Sequence, residues 1–215
     1  KNYLIKFAKL QFSQIKRGQI LKKIAKDLKL KQIAEDIFDQ KAELHMIDSY
    51  FNAKSNKNVI DWHCDMAHGG LVQPKDLNLN KASIKFFFYM SDVKSENGCL
   101  GYIPYSQHIV KALANLIKAD KIEYKPYWKL EDLRQTISKE NNKKLIKDIV
   151  GEEILNNFLN CSEFIEDKRK DTFKFDLEMN KGGMVVFDEF GVHRGSMPSK
   201  SSRLVLRFFY RRSKI

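Results

Sequence analysis

Cysteine, proline and tryptophan are scarce in this 215-residue chain: three, four and two residues. Cys64, Cys99 and Cys161 stand at unrelated spacings. They cannot build a disulfide framework or a Cys-rich zinc site, and they read as reduced thiols of a cytoplasmic protein. No run of about 18 apolar residues occurs, so no membrane span is expected. The lysine-dotted first forty residues lack the apolar core of a secretory leader. Arginine is sparse as well, with eight against 31 lysines, and 27 acidic residues leave a net charge of +12. The lysines are scattered without the aromatic interleaving of a nucleic-acid site. They predict a solvated basic surface, no nucleic-acid partner and a mild preference for anionic small molecules.

The composition is that of a packed protein, 43% hydrophobic and 12% aromatic, and the length predicts one domain over 1–215. Apolar residues at 20, 21, 24, 25, 28, 30, 33, 34, 37 and 38 recur with helical spacing, with a break near Leu30. Strands are predicted at 42–51, 61–65, 82–91, 99–104, 172–178, 184–188 and 203–211. Polar or glycine-containing stretches at 52–60, 66–81 and 91–98 read as loops. Residues 107–161 read as mainly helical, broken at Pro126 and bounded at Gly151, within an insertion of about 107–170. Many short strands without βαβ alternation predict a mainly β protein with helices. The architecture expected is a double-stranded β-helix, or jelly roll, with an N-terminal helical region and a helical insertion.

The chemistry concentrates in two stretches. Asp61-Trp62-His63-Cys64-Asp65 is the first. In a strand, residues two apart share a face, so His63 and Asp65 point one way and Cys64 the other. The second, Phe187-Asp188-Glu189-Phe190-Gly191-Val192-His193-Arg194, offers His193 as a third ligand. Two imidazoles and one carboxylate on one face of a metal suit Fe(II) and leave positions open for O2 and a cosubstrate. Arg203, ten positions after His193, begins an apolar run.

These segments, in this order, resemble the phytanoyl-CoA dioxygenase family of Fe(II)/2-oxoglutarate oxygenases over about residues 42–212. Trp62-His63-Cys64-Asp65 is similar to its Trp-His-x-Asp motif. Asn97-Gly98-Cys99-Leu100 with Ile103-Pro104-Tyr105-Ser106-Gln107-His108 is similar to its Asn-Gly-x-Leu and Pro-Gly-Ser-His segments. Gly183-Met184-Val185-Val186-Phe187-Asp188, leading to His193, is similar to its strand before the distal histidine. The resemblance implies that His63, Asp65 and His193 bind iron and that Arg203 pairs with the far carboxylate of 2-oxoglutarate. It implies a hydroxylase that consumes O2 and releases succinate and CO2. The chain departs from the family at Tyr105, which stands where the family has glycine, and at the extra Gln107. The serine that follows the distal histidine is displaced, with Ser196 the nearest candidate.

Other residues are expected to serve the site. Lys85 and Tyr89 alternate on one face of the 82–91 strand and are candidates to donate to 2-oxoglutarate. Arg207 shares a strand face with Arg203 and could meet an anionic substrate group or form a salt bridge. His68 lies in the loop after the first ligand pair and could line the substrate mouth. Trp62 and Phe208-Phe209-Tyr210 read as core, and His108 as capping or packing the helix that follows it. Two other readings stay open: a cupin-like metal dioxygenase that needs no 2-oxoglutarate, and a non-catalytic iron or 2-oxoglutarate sensor. The sequence leaves substrate and oligomeric state open.

Overall fold

The computed structural model describes residues 2–66, 83–166 and 172–213. Two helices open the chain, α1 (Asn2–Asp27) and α2 (Leu30–Phe38). The break predicted near Leu30 falls at Lys29, whose φ of 53° is left-handed and turns the chain. The first helix reaches further back than the periodicity from residue 18 indicated. Leu30, Ala34 and Phe38, four residues apart, make one apolar stripe, and Leu21 and Ala25 of α1 join it.

That stripe covers a four-stranded antiparallel sheet of order β1-β9-β3-β7, with β1 Ala42–Asn52, β9 Arg203–Arg212, β3 Ser83–Tyr89 and β7 Met184–Asp188. Strand alternation decides what each face does. Ile84, Phe86, Leu206, Phe208 and Tyr210 pack outward on the helices. Phe87, Tyr89, Val205 and Phe209 point inward with Val185 and Phe187. There they meet Cys99 and Leu100 from a second antiparallel sheet of order β5-β2-β8-β4-β6. Its strands are β2 Ile60–Cys64, β4 Leu100–Tyr102, β5 Trp128–Lys129, β6 Asp176–Leu177 and β8 His193–Gly195.

The insertion supplies α3 (Ser106–Lys118), α4 (Leu130–Ile137), α5 (Glu140–Val150) and α6 (Glu152–Glu166). Their apolar faces bury Leu113, Ile117, Leu133, Ile146 and Phe158 against Cys64, Ile103 and Val192. Cys64 thus faces away from its neighbours His63 and Asp65, as strand geometry requires. Among the described residues the fold is α+β, two facing antiparallel sheets with six helices, and no helix is long and apolar enough to cross a membrane.

One predicted strand is corrected. Residues 172–178 form a 3-10 turn at Thr172–Phe175 and then only the two-residue β6. Phe175 is drawn to the helices, edge-on to Phe164 of α6 with ring centres 5.9 Å apart. Helix packing there outweighs the alternation that imitates a strand.

Candidate metal centre

The register of β2 against β8 sets His63 directly opposite His193. Their rings lie 4.4 Å apart, and both are buried. Asp65 follows the end of β2, its N–H donating to the Glu189 carbonyl at 3.3 Å. One oxygen of Asp65 is 3.3 Å from His63 Nε2 and the other 3.6 Å from His193 Nε2. The three ligand atoms all lie within 4.8 Å of one another.

Both imidazoles are aimed in the same way. His63 Nδ1 sits 2.7 Å from the Asp61 carbonyl oxygen, and His193 Nδ1 sits 2.8 Å from that of Gly191. A carbonyl only accepts, so each Nδ1 donates to it and each Nε2 is turned toward Asp65. Two imidazole nitrogens and a carboxylate therefore converge, an arrangement that suits a cation. Burial pushes His193 down to about 3, which keeps it neutral. Burial works to raise Asp65, but the His63 contact and the positive Lys85 outweigh it and hold the carboxyl well below its ordinary range. The donor set fits a divalent first-row metal with open positions.

A second polar group stands at the start of β9. Arg203 is buried, with Nε donating to Asn52 Oδ1 at 2.8 Å and Nη1 donating to the Gly98 carbonyl. Gly98 has φ +78°, and a Cβ there would lie 2.6 Å from Arg203 Cδ, so glycine makes room for the arginine. Tyr89 is fully buried, and its hydroxyl has no close hydrogen-bond partner among the described residues. Burial pushes that phenol up to about 12, and the positive Arg203 acts on it from nearby. A buried hydroxyl beside a buried guanidinium suits an anionic ligand.

The remaining candidates are placed as follows. Lys85 pairs with Asp65 and lies 3.7 Å from Glu189 Oε2. Ser196 Oγ is 3.4 Å from Cys99 Sγ. Arg207 makes a two-pronged pair with Asp48, at 2.7 and 2.6 Å, over the Tyr50 ring. His68 lies outside the described residues. His108 is exposed; it is Ser106 that ties down the helix start, accepting from the Val192 N–H at 2.7 Å and donating to the Ile103 carbonyl at 2.6 Å. Trp62 packs on the insertion side, under Arg194.

Two participants escaped sequence reading. Glu189 is buried and burial pushes it up to about 7; its Oε1 accepts the Ser83 N–H at 2.6 Å. Tyr127 stacks on the His63 ring, with centres 5.8 Å apart and planes 16° apart. It is there because β5, inside the insertion, pairs Lys129 with His63 and Trp128 with Cys64. The only sequence signal was Pro126 followed by two aromatics.

The sequence model of the phytanoyl-CoA dioxygenase family matches residues 4–205, and the chain belongs to that family. No curated protein matches it. Among solved structures it is similar to HygX from Streptomyces hygroscopicus with nickel and 2-oxoglutarate bound, at 14% identity and a TM-score of 0.52, over 90% of this chain and 65% of that one. The iron-bound form of HygX gives 15% identity and a TM-score of 0.51, over 91% and 68%. The epimerase SnoN, in complex with Fe3+, alpha ketoglutarate and nogalamycin RO, gives 12% and 0.50, over 89% and 58%. At these identities the likeness is one of fold. The chain spans about a third to two thirds of the length of the structures it matches.

Proposed function

We propose that this protein is an Fe(II)- and 2-oxoglutarate-dependent dioxygenase that hydroxylates a C–H bond of a small metabolite. The convergence of His63 Nε2, His193 Nε2 and Asp65 within 4.8 Å carries the reading. Family membership supports it, as do HygX with nickel and 2-oxoglutarate and SnoN with Fe3+ and alpha ketoglutarate. The two facing sheets are read as a double-stranded β-helix, and residues 1–215 as one oxygenase domain. The three free cysteines suit a reducing compartment, the cytoplasm.

In this reading His63, Asp65 and His193 hold the iron. Arg203 pairs with the far carboxylate of 2-oxoglutarate, where its planar guanidinium can serve two oxygens, and the Tyr89 hydroxyl donates to the same group. What iron and 2-oxoglutarate supply when bound is oxidation by O2, with release of succinate and CO2 and a hydroxyl left on the substrate. The chain keeps both imidazoles aimed, excludes water with the inter-sheet aromatic layer, and offers Tyr127 as a wall of the metal site. The net charge of +12 favours an anionic substrate. Ser196 and Arg207 hold neighbouring groups in place; the first braces Cys99 beside Tyr89 and Arg203, and the second lies in the inner face toward which a substrate anion would be drawn.

The test is anaerobic addition of Fe(II) and then 2-oxoglutarate, followed by the visible metal-to-ligand charge-transfer band. The expected result is a band that His63→Ala abolishes and that needs far more 2-oxoglutarate in Arg203→Ala. Iron bound by the wild type without any band would overturn the 2-oxoglutarate assignment.

A further inference from the structure

Lys85 is a buried ammonium with unusually fixed surroundings. It lies on the inner face of β3, its side chain 8% exposed, with its nitrogen 5.0 Å from the Phe209 ring centre and 6.0 Å from that of Phe187. Its ion-pair partners are Asp65 and Glu189. Glu189 is itself pinned three ways. Its Oε1 accepts the Ser83 N–H, its own N–H donates to the Ser83 carbonyl at 3.1 Å, and its carbonyl accepts the Asp65 N–H. The ammonium therefore has a set position relative to Asp65, enforced by the backbones of β3, the end of β2 and the segment after β7.

That position is not the Arg203 pocket. Lys85 pairs in register with Phe209, whereas Arg203 lies two residues beyond Val205, the partner of Tyr89. Tyr89 lies four steps along β3 from Lys85, about 13 Å along the strand. The Lys85 nitrogen meets Asp65 Oδ2, and His63 Nε2 lies against Oδ1. His193 Nε2 also lies 3.6 Å from Oδ2, so Lys85 shares that oxygen with one of the two histidines.

We infer that Lys85 tunes the charge of the metal ligand Asp65, competing with a divalent ion for its carboxylate. The oxygen it engages, Oδ2, is the one that also faces His193, while Oδ1 stays beside His63. Lys85 also sets the charge of the site, so that metal binds tightly only together with an anion. This rests on the metal centre proposed above. An ammonium bonded to a ligand carboxylate weakens it as a donor and repels a dication. The carboxylates of Asp65 and Glu189 at most offset Lys85 and the buried Arg203, so a dication leaves the site with excess positive charge that a dianion such as 2-oxoglutarate relieves. Metal and dianion then bind with positive coupling, reciprocal by linkage.

Mn(II) binding, read from the EPR signal of the free ion under nitrogen with and without 2-oxoglutarate, tests this without turnover. Lys85→Met is expected to tighten Mn(II) by about tenfold when 2-oxoglutarate is absent. It should also shrink the factor by which 2-oxoglutarate improves Mn(II) affinity. Lys85→Arg, which keeps the charge, should retain both wild-type values. A purely structural lysine predicts the opposite sign, with Mn(II) lost as the fold loosens. Unchanged or weaker Mn(II) affinity in Lys85→Met would overturn the role, and Lys85→Gln is read the same way should the methionine variant not fold. His63→Ala separates the two claims. If it binds Mn(II) as well as wild type, the metal centre itself falls, and this role with it. If it loses Mn(II) while Lys85→Met is unaltered, only the role of Lys85 falls.

Discussion

A Cβ built on Gly191 would fall on the Tyr102 hydroxyl. The Gly191 carbonyl is the group that orients His193, so backbone space at this glycine is coupled to the aim of a ligand. Gly191→Ala should therefore weaken metal binding by about 10–100-fold, the usual effect of disturbing a ligand's support. Added Tyr102→Ala should restore much of it by clearing the space. Metal titration of the two variants beside wild type checks this, and wild-type affinity in Gly191→Ala would refute it. Tyr105 makes a contrasting case. It stands at the family's glycine position with φ 63°, left-handed, and its side chain is exposed. Tyr105→Gly relieves about 1–2 kcal/mol of local strain against about 0.5–1 kcal/mol of added chain entropy. A net gain of up to about 1.5 kcal/mol in urea unfolding is expected, with metal affinity unchanged. The triad was legible because two-residue alternation and a short motif name its members. Glu189 and Tyr127 were not, because their contacts depend on which strands become neighbours.

At the scale of elements, the periodic pieces were read well: α2, with Leu30, Ala34 and Phe38 on one face, and β3 and β9, whose alternate residues face helices and interior. What failed were two-residue strands. β5 and β6 are too short to carry a period, and pairing alone defines them. Yet β5 fastens the helical insertion to the metal strand. Trp128, fully buried, pairs with Cys64 and anchors the insertion core. Trp128→Ala should cost about 3–5 kcal/mol, the range for removing a large buried aromatic. Because its neighbour Lys129 pairs with His63, metal binding should fail along with the insertion. Unfolding followed by helical circular dichroism and by metal release should then give coincident transitions. A variant that loses helix while holding metal at wild-type affinity would show the insertion to be independent of the site.

For the whole molecule, the metal pocket confers two opposing pH dependences that the charge count does not reveal. In the metal-free protein His193 is depressed by burial from 6.5 to about 3. Between those values the unfolded chain binds the extra proton, so this group's stabilising contribution is present above 6.5 and is lost as pH falls through about 3. Glu189 is raised by burial from 4.5 to about 7, despite the opposing Lys85 charge. Here the folded chain binds the extra proton, so its contribution is present below 4.5 and is lost as pH rises through about 7. Over 4.5–6.5 the two slopes oppose each other, and a wild-type curve conceals both. Glu189→Gln keeps an acceptor for the Ser83 N–H and removes the titration. Its stability relative to wild type should rise with pH from 4.5 to 7, by at most about 1.4 kcal/mol per unit. Urea denaturation of chelator-treated protein at several pH values reads this difference directly. A gap between the two curves that stays constant across the window would mean that Glu189 is ionised in the fold throughout, with Lys85 rather than burial governing its charge.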